Sequence, residues 1–173
     1  MKLIFPTIEY MEAALDFRQE HFDCGETVIH GDGGLDTAVT YEGWLESVRN
    51  AVIQNISEER VPATIFFGVH KDRIVGIIQI RYRLNKRLLE SYGHIGYNIR
   101  PSERRKGYAT RMLNLALEVC RGLGLRSVLI SCDKDNIASI KTIQKVGGVF
   151  ERAFLEQGGE TVHQYWISIE SSI

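Results

Sequence analysis

Cysteine is scarce in this chain: Cys24, Cys120 and Cys132 are its three, widely separated and without a Cys-x-x-Cys pair. An odd, scattered set argues against a disulfide framework and a zinc site, so no metal is expected. Free thiols suit a reducing compartment, and a cytoplasmic location is the expectation. Long apolar runs are missing too. Nothing approaches the roughly 20 residues of a membrane span, and the start Met1-Lys2-Leu3-Ile4-Phe5-Pro6 is too short for the apolar stretch of a signal peptide. No membrane partner is therefore expected. Net charge is nearly absent, −1 from 21 basic and 22 acidic side chains, which argues against a nucleic-acid partner. Neither repeats nor low-complexity segments occur. A length of 173 residues, 44% of them hydrophobic, suffices to bury a core, and a single domain over 1–173 is expected.

The charges that are present lie unevenly. Glu20, Asp23, Glu26, Asp32, Asp36, Glu42 and Glu46 follow one another with no Lys or Arg between Arg18 and Arg49. In the middle of the chain Arg81, Arg83, Lys86, Arg87, Arg100, Arg104, Arg105 and Lys106 face only Glu90 and Glu103. Such separation would steer an anionic and a cationic ligand to different sides of one site, although two ordinary exposed surfaces would read the same way.

Periodicity gives strands over 2–5, 63–69, 73–81, 93–99, 127–131, 149–155 and 162–169, and helices over 10–21, 41–54, 107–122 and 137–146. His70-Lys71-Asp72 reads as a hairpin turn, and 84–92 as a polar excursion. The Gly-rich, acidic loop 25–34 is long for a compact domain and so a candidate functional loop. A meander of strands ahead of the first strand-to-helix crossover makes the class α+β, with a mostly antiparallel central sheet flanked by helices.

The most informative segment is 100–110, Arg-Pro-Ser-Glu-Arg-Arg-Lys-Gly-Tyr-Ala-Thr. It joins the alternating run His94-Ile95-Gly96-Tyr97-Asn98-Ile99 to a helix whose Tyr108, Met112, Leu115, Ala116, Val119 and Leu123 recur at helical spacing. Exposed N–H groups of a first helical turn, the positive end of its dipole, and a glycine that lets backbone come close would suit a pyrophosphate. The order Lys106-Gly107, with one glycine, is not that of a nucleotide-phosphate loop. A second strand, 127–132, then runs into Asp133-Lys134-Asp135-Asn136-Ile137-Ala138-Ser139, and Gly147-Gly148 closes the helix that follows.

Taken together, Arg104-x-x-Gly107-x-Ala109, a strand, and Asn136-x-x-Ser139 resemble the GNAT superfamily of acyl-CoA-dependent N-acyltransferases over about 65–149. The resemblance implies a GNAT-like fold and acetyl-CoA as co-substrate. It implies that Arg104, Arg105, Lys106, Gly107, Tyr108, Ala109 and Thr110 hold the pyrophosphate. Tyr97, Asn98 and Ile99 would line the pantetheine arm and thioester, and Asn136 would hydrogen-bond that arm, with Ser139 also in the cofactor site. It further implies transfer of an acetyl group, by direct attack, to a primary amine of a small molecule or a protein. A non-catalytic acyl-CoA sensor is the alternative. Late strands that pair between subunits make a homodimer an expectation as well.

Direct transfer needs a neutral amine, a donor for the developing oxyanion and an exit for the thiolate. Many members carry a Tyr seven positions after the motif Asn, but here that position is Ile143, which cannot donate a proton. Tyr97, Tyr165 or His163 could take over, or the thiolate could leave unassisted. For the base, His94 is preferred for its titration range and its place on the thioester strand, with Glu90 second. Cys132 invites a covalent route, but no partner stands at a recognisable spacing. The acidic stretch 20–46 is expected to border the amine cleft and to favour cationic amines.

Overall fold

The computed structural model describes residues 1–53, 61–156 and 158–170. Its strands are β1 (Lys2–Ile4), β2 (Ala63–His70), β3 (Arg73–Arg81), β4 (Ile95–Ile99), β5 (Ser127–Asp133), β6 (Val149–Leu155) and β7 (Thr161–Ser168). Its helices are α1 (Met11–Asp23), α2 (Tyr41–Ile53), α3 (Tyr108–Gly122) and α4 (Ile137–Lys145). Strands β1-β2-β3-β4 form one antiparallel sheet, and β5-β7-β6 a second. The architecture is the α+β arrangement that the sequence implied.

Each element follows from its pattern. On α3, Met112, Leu113, Ala116, Leu117 and Cys120 fall on one stripe and are buried. They pack on Ile78, Ile80, Ile95 and Ile130. The opposite face of the first sheet carries Phe67, Ile74 and Ile77 against Ala14 and Phe17 of α1 and Trp44 of α2. A sheet covered on both faces needs apolar residues at consecutive positions, which is why β3 reads Ile74-Val75-Gly76-Ile77-Ile78 without alternation. Each such aliphatic side chain contributes roughly 1.5–3 kcal/mol by leaving water.

Several boundaries differ from expectation for physical reasons. The β2–β3 turn is Lys71-Asp72 alone, with φ of 48° and 61°. His70 remains in the ladder opposite Arg73, so it is a strand residue and not part of the turn. The excursion 84–92 contains a π-helical turn, Leu88–Tyr92. Gln54, the expected last residue of α2, lies outside the described residues.

The strand expected from 93 begins at Ile95, and the cause positions the whole site. Gly93 sits at φ 72°, so close to the second sheet that a Cβ there would lie 2.4 Å from the Leu129 carbonyl oxygen. At this point the two sheets meet. The His94 N–H donates to the Leu129 carbonyl at 2.7 Å, and the Leu129 N–H donates to His94 Nδ1 at 3.0 Å. Gly93 bridges Ile130 in the same place, and β4 and β5 share no ladder beyond it. Past this joint β4 and β5 belong to different sheets and do not pair, which leaves a wedge between 95–99 and 131–133.

Candidate active site

The wedge has a chemically defined wall. The Arg100 N–H bonds the Val75 carbonyl and the His94 carbonyl accepts from Arg81, which fixes the even positions of β4 as those facing β3. Odd positions turn their N–H and C=O outward to the wedge. Those of Ile99 are engaged: its N–H donates to Asn98 Oδ1 at 2.8 Å, and its carbonyl accepts from Arg104 Nε at 3.1 Å. Tyr97 therefore supplies the backbone N–H in mid-wedge. Its side chain points to the helix face, where its hydroxyl lies 2.9 Å from Ser139 Oγ. Burial pushes the Tyr97 phenol up to about 12, so it keeps its proton at neutral pH. Burial likewise raises the Cys132 thiol to about 11, at the end of β5, so it is no ready nucleophile.

Across the wedge, Asn136 caps α4 by accepting the Ser139 N–H at 3.0 Å. The segment between β4 and α3 has the form expected of an anion cradle. Arg105 at φ 60° and Gly107 at φ 81° bend the chain, and no side chain caps α3. Among the described residues, none of the N–H groups of 105–110 bonds a backbone carbonyl, the first such bond being Arg111 N–H to Gly107. At Gly107 a Cβ would meet nothing within 4 Å, so the backbone is open to a ligand. A cavity of ≈ 440 Å³ continues beside it, lined by Gly107, Thr110, Arg111, Asn114 and Lys145 among others.

Arg104 departs from its expected role. Its guanidinium grips Glu26 with two hydrogen bonds, of 2.5 and 2.7 Å, and turns its Nε onto the Ile99 carbonyl. It faces the loop after α1, not the amide cradle. Lys106 is held by Glu103 at 3.0 Å.

His94 is corrected more sharply. It is 5% exposed and stands at the closed end of the wedge. Burial, with Arg81 nearby, takes its imidazole down to about 4. With Nδ1 accepting from Leu129, the neutral ring carries its proton on Nε2 and has no free lone pair for a base to use. Glu90, on the π-helical turn, is exposed and 4.0 Å from Lys86. Ile143 is wholly buried in the core under α3, so the position of the family tyrosine serves packing here. Tyr165 is buried on β7, one strand removed from the wedge, with its hydroxyl 3.4 Å from His163.

The acidic loop does approach the site. An added Cβ at Gly31 would lie 2.1 Å from the Gly96 carbonyl oxygen, so the loop backbone rests directly on β4. Its charge is largely engaged, however. Asp32, pushed up to about 6 by burial, accepts the Gly34 and Asp36 N–H groups, and Asp36 accepts that of Ile29. Glu20 binds Arg100, Arg73 and the Ser102 N–H. Two ion pairs, Glu20–Arg100 and Glu26–Arg104, thus join the acidic and the basic stretch in space. The sequence carried no signal for these pairings, nor for Arg111 and Lys145 meeting at one cavity.

The acetyltransferase (GNAT) domain family profile matches residues 19–149. No curated protein matches the sequence. Among solved structures, the fold is similar to the microcin C7 self-immunity acetyltransferase MccE bound to acetyl-CoA and AMP (TM-score 0.67, 20% identity, 96% of this chain and 91% of that one). It is similar to the ribosomal alpha-N-protein acetyltransferase RimL in complex with coenzyme A (0.70, 16%, 96% and 92%). A third is the spermidine N-acetyltransferase SpeG of Vibrio cholerae (0.68, 13%, 98% and 95%).

Proposed function

The chain belongs to the GNAT acetyltransferase family, and from that membership we propose a division of labour for moving an acetyl group from acetyl-CoA to a primary amine. The uncapped N–H groups of 105–110, with Arg105, hold the pyrophosphate, and Arg111 and Lys145 at the adjoining cavity meet the remaining phosphate. Asn136 and Ser139 flank the pantetheine arm. Acetyl-CoA, when bound, supplies the activated acyl group.

The Tyr97 N–H faces the carbonyl oxygen as negative charge develops there. The Tyr97 hydroxyl, kept protonated by burial, then delivers a proton toward the departing sulfur, which is the task that Ile143 cannot perform. The observation that carries this reading is Tyr97 itself, since backbone donor and phenol come from one residue in mid-wedge. The amine enters past the loop at Gly31, and Glu90, exposed on the π-helical turn, is the carboxylate assigned to receive its proton. The loop's position, more than its charge, supports an amine site there. The amine is that of a small molecule or of a protein.

Three free thiols support a cytoplasmic setting. The edge strand β6, which exposes Val149, Phe150 and Leu155, supports a homodimer. A panel of primary amines with acetyl-CoA, read by thiol release, tests the activity. Tyr97→Phe is expected to lower kcat roughly 10- to 100-fold with KM for acetyl-CoA little changed. An unchanged kcat would return the thiolate to unassisted departure.

A further inference from the structure

Helix α1 ends in a tight cap. The Gly25 N–H bonds the Phe22 carbonyl and the Glu26 N–H bonds the His21 carbonyl, both at 2.9 Å, with Gly25 at φ 80°. This six-to-one closure fixes Glu26 at the helix end. Its side chain is fixed as well, because Oε2 lies 2.8 Å from Nδ1 of His21, a wholly buried ring packed edge-on to Phe17. Glu26 is thus held twice by one turn of α1, and its carboxylate reaches out to Arg104.

Arg104 in turn touches the cofactor wall. Its Nε binds the Ile99 carbonyl, and its Nη2 lies 3.3 Å from Asn98 Oδ1, the same oxygen that accepts the Ile99 N–H. A continuous chain of contacts runs from the α1 cap through Glu26 and Arg104 to the end of β4. Beyond Glu26 the backbone continues into the loop that rests on Gly96. The hydrogen bonds of Arg104 hold the Glu26 carboxyl down to about 2, so the pair stays ionised across the working range.

We propose that Glu26 is a positioning residue: through Arg104 it sets the backbone of β4 that receives acetyl-CoA, and it ties the order of the amine-side loop to that of the cofactor loop. The proposal rests on the reading above, in which the β4 edge and residues 105–110 take acetyl-CoA. Glu26 touches neither substrate. A merely structural ion pair at a half-exposed site would lower thermal stability slightly and leave cofactor affinity alone. A positioning pair moves the affinity.

The test is calorimetric titration of acetyl-CoA into the full chain carrying Glu26→Gln, Arg104→Gln or both, with melting temperatures recorded alongside. Each single variant is expected to weaken binding roughly five- to tenfold, and the double variant no more than either single one, as for partners in one interaction. Glu26→Asp keeps the charge on a shorter arm and is expected to fall between wild type and Glu26→Gln; it also serves if a single Gln variant folds poorly. Unchanged affinity in folded single variants, or losses that multiply in the double variant, would overturn the coupling while leaving the acetyl-CoA reading intact. Wild-type protein that does not bind acetyl-CoA would remove both.

Discussion

At position 94 burial and a backbone donor act on the same imidazole. The reference pKa of a histidine is near 6.5, and the folded value of about 4 lies below it, so the unfolded chain binds the extra proton first. His94 therefore contributes stability that is present above pH 6.5 and is lost as pH falls through about 4. Asp32 slopes the other way: its carboxyl, raised to about 6, contributes stability that is present below the usual carboxylate range and lost as pH rises through 6. The two effects partly cancel in wild type, which makes the difference between proteins the informative quantity. Relative to His94→Gln, which can still accept the Leu129 N–H, wild type should gain on the order of 3 kcal/mol between pH 4 and 6.5. Urea midpoints across that range measure it. A difference independent of pH would restore His94 as a candidate base. From the sequence alone, a histidine on a thioester strand reads as a base, because nothing local reveals a donor 35 residues away.

At the scale of elements, periodicity located β3, α3 and the break between β4 and α3, since an amphipathic stripe and a Pro101-to-Gly107 break are local signals. The wedge was not legible in the same way. Its origin is the close approach of Gly93 to Leu129, and Gly93 in the sequence looks like the first residue of a strand. The contact of Gly31 with Gly96 was equally hidden, though the length of the loop marked it as a candidate. Here an added methyl has no room: at φ 81° and 2.1 Å from a backbone oxygen, Gly31→Ala must lift the loop from β4. The expected outcome is a drop of about tenfold or more in kcat/KM for the amine, with acetyl-CoA affinity retained in calorimetry. Equal loss for both substrates would mean that the loop supports the cofactor wall generally.

For the whole molecule, the sequence suggested two charge territories and the fold joins them. Arg100 is the anchor. It is 1% exposed, donates Nε to the Ile74 carbonyl at 2.7 Å, and meets Asp16 and Glu20 at 2.8 Å each, above the Phe17 ring. Burial opposes the charge on Glu20, yet Ser102 and Arg100 hold its carboxyl down to about 2. Arg100→Leu would leave the Ile74 carbonyl and Glu20 without their buried partner, and should cost on the order of 3 kcal/mol in chemical denaturation. A loss below ~1 kcal/mol would mean that water replaces the guanidinium freely. No local pattern announces such an anchor, because Arg100 stands in the sequence just ahead of the basic run 104–106 with nothing to set it apart from it.

The joint between the sheets also has a kinetic consequence. An amide bonded to a backbone carbonyl keeps its partner at any pH, whereas the Leu129 amide is bonded to an imidazole nitrogen that disappears as an acceptor once protonated. Intrinsic deuterium uptake slows on acidification. The Leu129 amide, losing its protection just as His94 gains a proton, would run against that trend, and its neighbours in the β5–β7 ladder would not. A single backbone proton thereby reports whether the two half-sheets are still fastened together.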